Sequence, residues 1–370
     1  MSDEKFMQRA IDLAYKGTGY VSPNPRVGAV VVQNGKIIGE GWHKRYGEPH
    51  AEVNAIKNSK TNTFEDCTMF VNLEPCSHFG KTPPCADLIV EKKFSKVVIG
   101  MQDPNPLVAG RGIKRLKDAG IEVQVGVLEA ESKWLNRAFI KNIVWGSPYI
   151  NLKIAQSIDG IIALEDFTSK YITSQKSREY VHFLRSEADA VLVGKNTALH
   201  DDPGLTVREV EGRDPKRIVI DRKLELSPDL KLFNDHIKKQ TYICCDKRAY
   251  KSKRADELRN EGINIIRVET ERKKGVVISD LLKKLKEHHI MNILVEGGAS
   301  IFSSFVNENL VDELNVFIAP KIIGKGIGGF NKINISSLDQ AYNFYLHNHK
   351  NFGEDILLTY LKDLNLKDKK

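Results

Sequence analysis

The sequence predicts two consecutive α/β units. Three observations carry this. Strand-length apolar runs alternate with helix-like segments in both halves. The 370 residues exceed one ordinary domain. Near the middle, Trp145-Gly-Ser-Pro148 breaks a helical stretch. The expected units are therefore residues 1–145 and 146–370.

In the first unit, Ser2 is placed to cap a helix bearing Phe6, Ala10, Leu13 and Ala14 at helical spacing, with Asp3 and Glu4 at its positive end. Val27–Gln33 and Lys36–Trp42 flank Asn34-Gly35, a strong hairpin signal. A helix is expected from about His50, strands at 68–73 and 96–100, a helix from Gly112 to Ala119 and a strand at 121–125. One helix is expected from Glu129 to Val144. In the second unit the expected strands are 149–154, 190–194, 217–221, 241–245, 263–268, 292–296, 313–319 and 355–361. A Ser174-capped helix and a helix from Ala299 lie between them. No internal repeat is present.

Composition bounds the function. With 41% hydrophobic residues the chain can fill two cores, and no run approaches the roughly 18 apolar residues of a membrane span. The N-terminus lacks the apolar core of a signal peptide, so a cytoplasmic protein is expected. Five cysteines are too few for a disulfide framework, and Cys244-Cys245 sits in an apolar run as strand core. The net charge of +8 is evenly spread: residues 1–147 hold 20 Lys+Arg against 16 Asp+Glu, and the remainder 36 against 32. No basic arm stands out, and anionic small-molecule substrates account for the excess as well as nucleic acid does.

The chemistry-bearing pattern is His50-Ala-Glu52, then Pro75-Cys76, then Cys85. His-x-Glu followed by Pro-Cys is the signature of zinc deaminases. One imidazole and two thiolates suit zinc and leave a fourth position for water, whose pKa the metal lowers. Glu52 is then the proton carrier. On a regular helix it would lie about 200° around from His50, so its reach depends on where the first turn sits. The usual second cysteine, three residues after the first, is replaced by Phe79. Cys85 is the candidate, at the start of a helix over 86–92 that would stabilise a thiolate; His78 is a rival ligand.

Further motifs extend the pattern: Pro23-Asn-Pro-Arg-Val-Gly28, Leu73-Glu-Pro-Cys-Ser-His78, Lys81-Thr-Pro-Pro-Cys85 and Gln102-Asp-Pro-Asn-Pro106. In the second half stand Ser157-Ile-Asp-Gly160, Asp201-Asp-Pro203, Leu205-Thr-Val-Arg208, Val295-Glu-Gly-Gly298 and Ile318-Ala-Pro-Lys321. In this order they resemble the bacterial bifunctional riboflavin-biosynthesis deaminase/reductase family over nearly the whole chain. In that family a long loop between the two cysteines is normal.

The resemblance implies a cytidine-deaminase-like three-layer domain followed by a dihydrofolate-reductase-like α/β domain. It implies one zinc ion held by His50, Cys76 and Cys85, with Glu52 catalytic, and NADPH in the second domain. Deamination of 2,5-diamino-6-ribosylamino-4(3H)-pyrimidinone 5′-phosphate would precede reduction of its ribosyl group to ribityl. Asn24 is implied as a contact to the ring edge, and His78 and Lys81, in the loop between the cysteines, are candidates to hold the substrate phosphate. Ser169, Arg185, Leu205, Arg208 and Glu296 are implied as substrate contacts in the second domain, where Lys153 and Glu296 serve the reduction. Gln156, Tyr171, Thr197, Asp201, Arg222 and Gly298 fall on cofactor positions, as does the run Ala299, Ser300, Ile301, Phe302, Ser303, Ser304. Tyr171 stands where Trp is common and Arg222 where Ser is frequent. Arg222 is thus a candidate partner for the 2′-phosphate of NADPH. Gly297-Gly298 between a strand and a helix suits pyrophosphate without being a Rossmann fingerprint.

The expected partners are small molecules, with neither nucleic acid nor membrane, and a homo-oligomer is expected. The competing reading is a nucleic-acid editing deaminase with a C-terminal RNA-binding module. The +8 charge favours it, and the lack of any RNP, KH or basic-arm motif opposes it.

Overall fold

The computed structural model describes residues 2–77, 83–106, 108–271 and 275–362. They form two compact units, Met1–Ser147 and Pro148–Lys370. The first contains α1 (Asp3–Tyr15), β1 (Gly28–Gln33), β2 (Lys36–Trp42), α2 (Ala51–Lys57), β3 (Cys67–Leu73), α3 (Cys85–Glu91), β4 (Lys96–Met101), α4 (Arg111–Asp118), β5 (Glu122–Val125), α5 (Glu129–Leu135) and α6 (Arg137–Trp145). Its sheet runs β2-β1-β3-β4-β5. The β1 strand is antiparallel to both neighbours, while β3, β4 and β5 are parallel. Alternation along the strands feeds two cores. Val30, Val32, Phe70 and Val98 pack on the apolar stripe of α1; Val31, Met69, Val71 and Ile99 pack with Ala51, Ala55 and Ile89. The result is three layers. The hairpin turns through Asn34 (φ 51°) and Gly35 (φ 70°), the left-handed pair that matches strand twist.

Two local expectations fail for physical reasons. Ser2 occupies the N-cap position of α1, but its side chain makes no capping bond. The single helix expected from 129 to 144 breaks at Asn136. The Asn136 side chain accepts from Arg26 N at 2.8 Å and donates to Arg26 O at 3.0 Å, so it serves the loop Pro23–Val27 instead of continuing a helix. Tertiary hydrogen bonding overrides local propensity here.

The second unit runs β6 (Tyr149–Ser157), β7 (Ile161–Ala163), α7 (Gln175–Glu187), β8 (Ala190–Gly194), α8 (Lys195–Asp201), β9 (Lys216–Ile220), α9 (Lys231–Asn234), β10 (Thr241–Cys245), α10 (Lys247–Tyr250), α11 (Lys253–Asn260) and β11 (Asn264–Arg267). Then come the short β12 (Thr270–Glu271) and β13 (Gly275–Val276), α12 (Ile278–Glu287), β14 (Asn292–Gly297), α13 (Ala299–Asn307), β15 (Glu313–Ala319), the short β16 (Ile327–Gly328), β17 (Tyr345–Phe352) and β18 (Asp355–Leu361). Nine strands are ordered β11-β10-β9-β8-β14-β6-β15-β18-β17. The first seven are parallel, and β18 and β17 add an antiparallel edge. Their near-continuous apolar runs follow from burial on both faces, by α12 and α13 on one side and α7 and α11 on the other. Ser174 caps α7, its hydroxyl accepting from Ser177 N. The edge strand β17 has no apolar alternation and was not legible as a strand.

Asn136 is 2% exposed, and its replacement removes the acceptor of the Arg26 amide, while the Arg26 carbonyl keeps its bond from Asn72 Nδ2 at 3.0 Å. Asn136→Ala is expected to destabilise the first unit by about 1–3 kcal/mol in urea unfolding; an unchanged midpoint would show that the loop does not need this clamp.

Candidate zinc and nucleotide sites

In the first unit His50, Cys76 and Cys85 converge, their ligand atoms all within 4.8 Å of one another. His50 Nδ1 lies 3.3 Å from Cys85 Sγ and 3.6 Å from Cys76 Sγ. A tetrahedral zinc with bonds of about 2.3 Å to sulfur and about 2.0 Å to nitrogen separates these atoms by about 3.5 Å. The donor set therefore fits zinc in both chemistry and spacing. Each ligand comes from a loop or helix start: His50 is the N-cap of α2, Cys76 follows β3, and Cys85 opens α3. His50 has extended backbone (φ −70°, ψ 167°), so it stands off the helix and the 200° argument does not apply. Cys85 N–H donates to Cys76 Sγ at 3.3 Å, a bond that favours a thiolate. The rival ligand His78 and the loop candidate Lys81 lie outside the described residues.

The electrostatics follow from burial around two sulfurs. The hydrogen bond with Cys85 holds Cys76 down to about 4 against the upward push of burial, and His50 adds to this. Cys85 is pushed well up, first by that same bond and then by burial. Glu52 is 3% exposed, and burial, then the Cys76 charge, raise its carboxyl to about 7. Such a value suits a group that takes and returns a proton near neutrality. Asn24 Nδ2 sits 3.2 Å from His43 Nε2, and the His43 ring meets His50 edge-on at 5.4 Å. Burial lowers the pKa of His43, favouring a neutral ring. His43 was missed in the sequence, where a lone His after a strand has no spacing rule to mark it.

In the second unit Lys153 and Glu296 lie on the neighbouring strands β6 and β14. Arg185 of α7 grips Glu296 with two bonds of 2.5 and 2.8 Å, the two side chains being only 12% and 8% exposed. Burial lowers the pKa of Lys153, while Glu296 and Asp201 oppose this and Arg185 reinforces it. Burial pushes Glu296 up, yet Arg185 outweighs it and the carboxyl ends below its ordinary value. Arg185 also donates to Thr206 O at 3.0 Å, and Arg208 N donates to His182 Nδ1 at 3.0 Å. Ser169 Oγ donates to Asp201 Oδ1 at 3.0 Å. Lys153, Arg185, Glu296 and Asp201 thus form one electrostatic group.

A cavity of about 420 Å³ in the same unit is lined by Arg222, Ser300, Ile301 and Ser304 together with Lys195, Lys223 and Lys332. Asp221 and Glu225 line it as well, and Glu225 pairs with Lys195 at 2.6 Å and Lys223 at 3.6 Å; the four cations still exceed the two carboxylates, an excess that fits a phosphate-bearing nucleotide. Gly298 is the N-cap of α13, and Thr197 Oγ1 would lie 3.2 Å from a Cβ placed on it, so Thr197 is brought against the glycine pair. Not every named side chain faces outward. Leu205 and Phe302 are each 2% exposed in the cores, and Ser303 Oγ donates to Ala299 O at 2.8 Å. The side chains of these three are thus turned into the protein, against the expectation that they contact ligand. Gln156 is half-buried on β6, whereas Tyr171 is 64% exposed with Arg178 over its ring at 4.1 Å.

The fold and these sites define a zinc-type deaminase unit joined to a parallel α/β unit with a nucleotide-sized cationic cavity. Comparisons with known proteins then give the family. Residues 1–101 match the cytidine and deoxycytidylate deaminase zinc-binding region, and residues 148–358 match the RibD C-terminal domain. Riboflavin biosynthesis protein RibD of Aquifex aeolicus is 42% identical, over 97% of this chain and 98% of its own. That of Escherichia coli is 37% identical, over 97% and 99%. The diaminohydroxyphosphoribosylaminopyrimidine deaminase/5-amino-6-(5-phosphoribosylamino)uracil reductase of Thermotoga maritima is 38% identical, with a TM-score of 0.86 over 97% of this chain and 98% of that one. Acinetobacter baumannii RibD gives 35% and 0.85 over the same shares. The chain belongs to the RibD family, bifunctional riboflavin-biosynthesis enzymes that join a zinc-dependent deaminase to an NADP-dependent reductase. Its units are the expected cytidine-deaminase-like and dihydrofolate-reductase-like folds, and the RNA-binding reading of the second half is not favoured.

The buried pair has a pH signature. The folded pKa of Glu296 lies below its unfolded value of about 4.3, so its stabilisation is complete above that pH and fades as the pH falls through the folded value. Arg185→Met leaves the carboxylate buried without its cation and is expected to cost about 3–5 kcal/mol at neutral pH. Its deficit should shrink at acid pH, once the pH has fallen through the folded value of Glu296 and the carboxyl is protonated. Denaturant unfolding at neutral and acid pH checks this, and an equal deficit at each would contradict it.

Proposed function

We propose that the first unit, residues 1–145, deaminates 2,5-diamino-6-ribosylamino-4(3H)-pyrimidinone 5′-phosphate. We further propose that the second, residues 146–370, reduces the ribosyl chain of the product to give 5-amino-6-ribitylamino-uracil 5′-phosphate. The observation that carries the reading is the His50–Cys76–Cys85 triangle with tetrahedral zinc spacing beside a buried acid. Zinc held there supplies Lewis acidity, which makes water a nucleophile near neutral pH. Glu52, buried beside the three ligands, takes a proton from the attacking water and returns it to the departing amine, which leaves as ammonia. Asn24 holds the ring edge, steadied by His43. His78 and Lys81 hold the substrate phosphate.

In the second unit NADPH supplies hydride to C1 of the opened sugar. Lys153 stabilises and protonates the group that gains charge, and Glu296 contacts substrate while Arg185 holds it ionised. Arg208, Ser169 and Leu205 flank the substrate. Gly298 through Ser304, Thr197, Asp201, Gln156 and Tyr171 hold the cofactor, and Arg222 pairs with its 2′-phosphate at the cationic cavity. The exposed edge strand, with Tyr345 and Leu346 at 61% and 56% exposure, supports a homo-oligomer. Five free cysteines suit a reducing cytoplasm. No helix among the described residues is long and apolar enough to cross a membrane.

Incubation of zinc-loaded protein with the diaminopyrimidinone phosphate should release ammonia without NADPH, and NADPH oxidation should require the deaminated product. No ammonia release would sink the reading. Lys153→Met should abolish reduction and leave deamination intact. Arg222→Ala should raise KM for NADPH about tenfold with little change for NADH; an unchanged ratio counts against its role.

A further inference from the structure

Glu74 stands two residues before Cys76 and is 3% exposed. Its carboxylate is satisfied by four backbone amides. Oε1 accepts from Gly112 N at 2.9 Å and Ile113 N at 3.2 Å; Oε2 accepts from Asp103 N at 3.1 Å and Gly110 N at 3.0 Å. Gly110 is the N-cap of α4, with φ 77° and no side chain to cap with. Glu74 therefore caps that helix from the end of another element, and its charge meets the positive helix end. The same carboxylate spans both sides of the 103–110 loop. The approach is close: a Cβ on Gly112 would lie 2.1 Å from Pro75 O. Arg115 of α4 pairs with Asp87 of α3, the helix that Cys85 opens.

We propose that Glu74 is a positioning residue for the zinc centre: it locks the strand end bearing Cys76, the Asp103 backbone and the start of α4 into one piece, so that the two sulfurs are preset at ligand spacing. The proposal rests on the zinc reading above. A carboxylate is required because all four contacts are donors. In Glu74→Gln the amide nitrogen would face two N–H groups whichever way it turned, and one pair of bonds would be lost.

Chelator competition on the full chain tests this. Glu74→Gln is expected to weaken zinc binding about tenfold or more, the usual effect of removing an outer partner of a ligand. The zinc-free variant should keep the cooperative urea-unfolding transition of the first unit, which certifies that unit's fold, and Glu74→Asp should recover part of the affinity. On the native protein, removing zinc should speed hydrogen exchange at the amides of Asp103, Gly110, Gly112 and Ile113 together; this decides the matter if the variant does not fold. Zinc affinity within about twofold of native in a Glu74→Gln chain whose first unit is folded would overturn the proposal. Unchanged exchange at the four amides on zinc removal would do the same. A native chain that bound no zinc would overturn the zinc reading itself.

Discussion

Two sulfurs and a carboxylate, all largely out of water, must share a space only a few ångströms across. Cys76, Cys85 and Glu52 cannot all be ionised there unaided, as the opposite displacement of the two thiols and the raised value of Glu52 show. A divalent cation relieves this repulsion, because it lets both thiols lose their protons at once. The layout of the first unit follows from that need. Three chain segments end at one point, and each contributes a ligand from a place where backbone donors are unspent: the N-cap of α2, the strand end after β3 and the first residue of α3.

The second unit solves a related problem by burying a balanced set of charges. Glu296 carries its own cation, Arg185, through two short bonds, and Lys153 adds a second positive group whose pKa burial lowers. A lysine so placed gives up its proton more readily than a solvated one. The two units share a rule of placement despite having no motif in common. Cys76 follows β3, Lys195 follows β8, Asp221 and Arg222 follow β9, and Gly298 follows β14. All lie at the carboxyl ends of parallel strands, where open α/β sheets leave a crevice and helix starts offer amides.

What could be read from the chain without coordinates depends on how local the physics is. The hairpin at Asn34-Gly35, the helix α1 and the buried strands are set by neighbours in sequence, through left-handed turn residues and apolar periodicity. The zinc ligands were legible because metal chemistry restricts residue type as well as spacing. The break at Asn136 was not, since its cause is a loop more than 100 residues away. Strand β17 was not either: an exposed edge needs no apolar face, so its polar run carries no period. The place of His43 beside Asn24 and the grip of Arg185 on Glu296 depend on which strand or helix lies opposite, and only the fold reveals that. In the same way, Leu205 and Phe302 align with ligand positions in the family while their side chains fill the core.

The even charge distribution gains meaning from the two sites. A protein that grips a polyanion concentrates its cations along one face or arm. Here each half carries the same modest excess, 20 Lys+Arg against 16 Asp+Glu in residues 1–147 and 36 against 32 beyond. Deamination alters only the base, so the ribose phosphate passes unchanged from the first reaction to the second. Both units must therefore recognise one phosphate monoester, and the second must also bind a cofactor bearing several phosphates. Among its cations, Arg185 is held by Glu296, while Lys195, Arg222, Lys223 and Lys332 outnumber the carboxylates Asp221 and Glu225 around the cavity. A net charge that first suggested nucleic acid is accounted for equally well by small anionic substrates.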